Sequence, residues 1–154
     1  MDITLYEWLL FGHILMAATW VGGDVMLQVL NLRIRNAPPE RAVDFMGDVE
    51  WVGTRLLTPS ALVLVALGFG MVAEGNWSLG DFWISFALGV FLFSFAVGAG
   101  FLGPESGRIS RLAAERPADD PEVQRRIQRV VAISRIELVL LILVILDMVV
   151  KPWL

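Results

Sequence analysis

Four long apolar stretches organise the chain, at about residues 5–32, 51–73, 82–102 and 130–150. A helix rises about 1.5 Å per residue and a bilayer core is about 30 Å thick, so each stretch is long enough to span it. None alternates apolar and polar residues, and each is too long for a barrel strand. The intervening segments are polar: 33–50 and 103–129 are rich in arginine, and 74–81 is a short turn. The pattern predicts an all-α integral membrane protein, a four-helix bundle forming one transmembrane domain over residues 1–154.

Within the first stretch runs a polar stripe. At about 100° per residue, His13, Trp20, Asp24, Gln28 and Asn31 fall within roughly 80° of one another on a helix. A carboxylate deep in a membrane helix costs about 2.5–3.5 kcal/mol, so the stripe faces protein or water and not lipid. Pro38 and Pro39 then break the chain, and Pro39-Glu40-Arg41 reads as the start of a short interfacial helix. Its Val43, Phe45, Met46 and Val49 suit the bilayer surface, although an ordinary amphipathic connector is the reading the segment favours. In the second stretch Pro59 removes a helix hydrogen bond, and Thr58 is placed to re-satisfy the freed carbonyl. The third stretch spaces Ser85 with Gly89, and Ser94 with Gly98, for close helix approach. Gly103-Pro104-Glu105 reads as its end. Asp119 or Asp120 is expected to cap the last helix, which begins near Pro121. Trp77 and Trp83 suit an aromatic belt at a membrane–water interface.

Charge adds orientation. Arg33, Arg35 and Arg41 lie in one loop and Arg108, Arg111, Arg116, Arg125, Arg126 and Arg129 in another, whereas Lys151 is the one basic residue on the opposite side. The positive-inside rule makes both arginine-rich loops cytoplasmic and both termini external, N-out and C-out. Orientation already explains these basic residues, so nucleic-acid binding is not expected. With 56% hydrophobic residues, 18% charged and a mean hydropathy of +0.68, the chain is far from the composition of a soluble domain. The acidic N-terminus (Asp2, Glu7) lacks the basic region of a secretory signal, so the first helix is expected to be retained. Without cysteine there are no disulfides, thiolate metal sites, iron–sulfur clusters or covalently attached haem.

Candidate chemistry falls at two levels. At the inner level Asp24, Arg55, Glu105, Arg135 and Glu137 come to similar heights on different helices. That set reads first as an ion-pair clasp locking four helices; a proton relay, an ion gate or an anchor for a ligand carboxylate is the functional alternative. At the outer level stands His13, which can ligate haem iron or copper, shuttle a proton or hydrogen-bond a neighbouring helix. Met71 and Met148 approach that level from other helices and are candidate second ligands for haem or Cu(I).

These residues carry a resemblance. HILMAATWVGG resembles the first-helix pattern of a bacterial membrane superfamily, a His followed by a Trp-x-Gly-Gly-like turn. That superfamily includes copper-resistance protein D-like domains, four-helix protoporphyrinogen oxidases and a family of predicted integral membrane proteins. FMGDVEWVGTRLLTPSALVLVALGFGM is similar to its second helix, and RIELVLLILVILDMVVKPW to its last. The resemblance implies haem b at His13, with Arg135, Glu137 and the Lys151-Pro152 pair at last-helix positions. The oxidase group has further basic or histidine residues in the third helix; Phe82 to Leu102 has none, so oxidase chemistry is not expected. The combined expectation is a multi-pass protein of the bacterial inner membrane, a homo-oligomer in the lipid bilayer. It binds haem b or copper through His13 and is redox-active. The alternatives are a small ion, proton or metal transporter or channel, and a structural or assembly subunit.

Overall fold

A computed structural model describes residues 3–151, and within them the chain is helical with no strand. Helix α1 runs Leu5–Ile34, α2 Pro39–Val52, α3 Thr58–Glu74, α4 Phe82–Val97, α5 Gly103–Glu115 and α6 Pro121–Val150. The pairs α2–α3 and α4–α5 are continuous through π turns at Gly53–Leu57 and Gly98–Leu102. The chain is therefore four long helical rods.

Local chemistry sets the ends. Thr4 and Glu7 form a reciprocal capping box at the start of α1, the Thr4 N–H donating to Glu7 at 2.8 Å. Asp120, of the two expected caps, accepts from the Glu122 N–H at 2.8 Å, with Pro121 in the first turn of α6 where its missing donor costs nothing.

Three rods, Leu5–Ile34, Pro39–Glu74 and Phe82–Glu115, are long and apolar enough to cross a membrane. α6 is as long as α1 but carries Arg135, Glu137 and Asp147 in its apolar part. It packs along α4 and against α1, while α1 lies along α3. Large apolar side chains point outward on every rod; Phe11 is 60%, Leu92 58% and Val139 58% exposed. Such a surface is stable against lipid and not against water.

The helices extend past the boundaries that the apolar pattern predicts. The second rod begins at Pro39 and not at Trp51, and the third continues past Gly103-Pro104 to Glu115. Each proline sits in the first turn after a π turn, which absorbs the missing hydrogen bond without ending the helix. As a result α2, α5 and the start of α6 form a polar half with its own core. Phe45 and Met46 are buried in it beside Ile109, Val123 and Ile127, so the face that also suits the bilayer surface packs on protein. An apolar helix face reads the same whether lipid or protein covers it.

Glu105 belongs to this polar half. It accepts from Arg126 at 2.6 Å and from Arg108 at 3.4 Å, while Arg126 also donates to Glu122. Those bonds, Glu105 first, raise the Arg126 guanidinium above its ordinary value.

Candidate functional site

Between the polar half and the apolar half lies a cavity with about 80 Å³ of room for water-sized molecules. From α1 it receives Trp20, Asp24, Gln28 and Asn31, four of the five residues of the predicted stripe. α4 contributes Ser94, the second π turn Gly98, and α6 Ser134 and Glu137. Asp24 and Glu137 are 8% and 6% exposed, so both residues are buried. Gln28 donates to the Ser134 hydroxyl at 2.7 Å, and Ser134 to the Val131 carbonyl at 3.1 Å, which fixes one wall.

Three polar atoms in this space stand out. Asp24 Oδ2 and Ser94 Oγ are fully buried with no hydrogen-bond partner among the described residues, and Ser94 is 0% exposed. On the facing side Glu137 Oε1 rests against Gly98, where an added Cβ would come within 3.4 Å of it. Of the residues lining the cavity, Asp24 and Glu137 are the titratable ones, and none is Lys, Arg or His.

The expected five-residue charge cluster is thus divided. Asp24 and Glu137 share the cavity, Glu105 pairs with Arg126 in the polar half, and Arg55 and Arg135 are exposed. Geometry explains the split. Arg135 and Glu137 are two residues apart, about 200° around the helix, and residues at that spacing do not share a face. Arg55 leaves the outer side of its π turn, with a stem long enough to reach the polar boundary.

Two apolar layers flank the cavity. On one side Trp20, Ala61 and Leu141 pack together with Phe91 and Phe95, and Trp20 meets Phe91 edge-on at 5.6 Å. On the other lie Leu27, Met46 and Leu102 of the polar-half core. The walls between are the two π turns, which touch each other. Both follow one pattern, Gly-x-x-x-Leu-x-Pro: GTRLLTP at 53–59 and GAGFLGP at 98–104. Pro59 and Pro104 have no N–H, so each break leaves a carbonyl of the preceding turn without its main-chain donor. Thr58 does not supply that donor as expected: its hydroxyl donates at 2.8 Å to the Gly53 carbonyl, which already accepts the Thr58 N–H. The repeated pattern is visible in the sequence and marks the site; reading the third stretch for packing alone misses it, and Ser94 with it.

His13 stands apart from the cavity. Its Nδ1 donates to the Leu64 carbonyl at 3.0 Å, and its Cε1 faces Gly68, so α3 holds the ring through backbone. Met71 on α3 and Met148 on α6 are half-buried. Among the described residues no group of three or more His, Asp or Glu gathers as a metal cage. At the same end of the molecule Trp77 and Trp83 meet edge-on at 5.4 Å, and Lys151 Nζ lies 5.0 and 5.1 Å from their ring centres. The Lys151-Pro152 pair reaches beyond the described residues at Pro152.

Outward-facing apolar rods around a buried polar cavity define an all-helical integral membrane protein. More particularly, the chain belongs to the family of predicted integral membrane proteins DUF2269, whose model matches residues 7–152. No curated protein and no solved structure matches it.

Proposed function

We propose that this is a four-span protein of the bacterial inner membrane, N-out and C-out, that passes a proton or small cation through the Asp24–Glu137 cavity. One observation carries the reading: two buried carboxylates with no basic residue lining their cavity share a space walled by the π turns of two rods. Intramembrane acids mark ion pathways when they do not pair with cations, and Gly/Pro-interrupted helices place such sites in transporters. The apolar layers on either side supply the two barriers that such a site requires. Most donors lining the cavity are oxygens, which suit hard cations, with the Met46 thioether the one soft donor. The open Ser85–Gly89 face of α4, where nothing lies within 4 Å of a Cβ at Gly89, leaves room for the homo-oligomer contact.

The test is proton or cation flux in proteoliposomes, followed with an entrapped pH dye under an imposed potential. Asp24→Asn and Glu137→Gln are expected to cut flux at least about tenfold, the scale of one lost charge-assisted contact. Arg55→Gln, outside the cavity, leaves it within about twofold. A wild-type flux no greater than that of empty liposomes, or one untouched by both acid substitutions, refutes the reading and returns the chain to an assembly role.

A second reading rests on His13. Donation from Nδ1 to the Leu64 carbonyl leaves Nε2 with its lone pair free, the arrangement that orients ligating histidines. His13 is the residue that would hold haem b, which would supply one-electron chemistry; its packing partners Leu64 and Gly68 offer no second side-chain ligand. A visible spectrum with and without added haemin tests it. A Soret band lost in His13→Ala supports haem binding, and colourless protein that takes up no haemin ends it.

A further inference from the structure

Resting on the transport reading, we propose that the cavity holds a sodium-sized monovalent cation, stripped of most of its water. Asp24 and Glu137 bind it with Ser94 Oγ as a third ligand, in exchange with a proton. Ser94 is the observation that points to a ligand. The residue lines the cavity and its hydroxyl is wholly buried with no partner among the described residues; Asp24 lines it too, and its Oδ2 is likewise buried and unpartnered. A buried hydroxyl left unbonded costs free energy that an occupant recovers.

The occupant's class follows from the donors. Carboxylate, hydroxyl and amide oxygens of Asp24, Glu137, Ser94, Ser134, Gln28 and Asn31 line the space, and hard cations take such oxygens. The room of about 80 Å³ suits a small ion with a few waters. Charge narrows the choice further. Calcium takes 6–8 oxygens, drawn in tight sites from several carboxylates, and magnesium keeps its own waters. One monovalent cation with one carboxyl proton neutralises the acid pair, and so do two protons, so the states interconvert by exchanging an ion for a proton. Asp24 from α1 and Glu137 from α6 are the titratable groups that face the site, and the rods of α3 and α4 add none to its lining.

Binding of radioactive sodium to the full-length, detergent-purified chain in choline buffer tests this directly. Saturable binding is expected, displaced by unlabelled sodium and by acid, and lost in Asp24→Asn and Glu137→Gln. Ser94→Ala weakens it about fivefold, the size of one polar contact, and Ser94→Thr restores it. Three results overturn the proposal: no saturable binding, binding indifferent to Ser94→Ala, or displacement by calcium at lower concentrations than by sodium. Proton flux that needs Asp24 and runs in sodium-free liposomes, with no sodium binding, also overturns it and leaves the transport reading intact. Absence of both flux and binding removes the two together.

Discussion

Asparagine in place of aspartate at position 24 is expected to raise the melting temperature in sodium-free detergent by several degrees while ending flux. The two effects have one cause. Asp24 is buried, and its Oδ2 has no donor among the described residues. It shares its cavity with a second carboxylate and with no cationic side chain. An ionised group held that way costs about 1–3 kcal/mol or more in lost solvation. Asparagine has nearly the same shape and carries no charge. At about 2–4 °C per kcal/mol for a chain of this size, the gain is measurable by scanning fluorimetry. A clasp of ion pairs requires the opposite sign, since stranding one partner of a buried pair costs about 3–5 kcal/mol. A fall in melting temperature for Asp24→Asn would therefore show that Asp24 is held by a cation in the resting protein.

Much of this site is readable from the first rod alone. Trp20, Asp24, Gln28 and Asn31 share a helix face by period, and all four meet the cavity. His13 continues the same stripe yet turns to α3, because Gly68 leaves room for the ring beside the Leu64 carbonyl. No single-helix pattern states which neighbour offers that room. Depth alone groups Arg55, Arg135 and Glu105 with Asp24, whereas angle separates them. The i, i+2 spacing of Arg135 and Glu137 is enough to place them on opposite faces. Glu105 needs more, since its fate depends on α5 continuing α4 across Gly103-Pro104. Ser94 is the hardest residue to read. A serine in an apolar helix looks like a packing residue until the acids of two other helices are known to face it.

Deleting Gly100 is expected to have the largest effect on folding, although the residue has no side chain, is exposed, and has nothing within 4 Å of where a Cβ would stand. Its contribution is to count. The π turn at Gly98–Leu102 holds one more residue than the α-helix it interrupts, and this register lets one rod serve two halves. Ser94 points into the cavity while Leu102, Glu105 and Ile109 are buried in the polar half. Removing one residue rotates α4 against α5 by about 100° and draws them together by about 1.5 Å. Either Ser94 leaves the cavity, or Ile109 and Glu105 leave their core and their arginines. Turning Ile109 out alone costs about 2–5 kcal/mol by analogy with core truncation, a large share of the 5–15 kcal/mol typical of a folded domain. The deletion protein should disappear from the detergent-soluble fraction or melt far below wild type. Gly100→Ala keeps the register and gains up to about 1 kcal/mol of helix propensity, so its melting temperature should equal or exceed that of wild type. If the deletion and the alanine variant melt alike, the rod can heal its π turn without penalty, and the register argument for both broken helices falls.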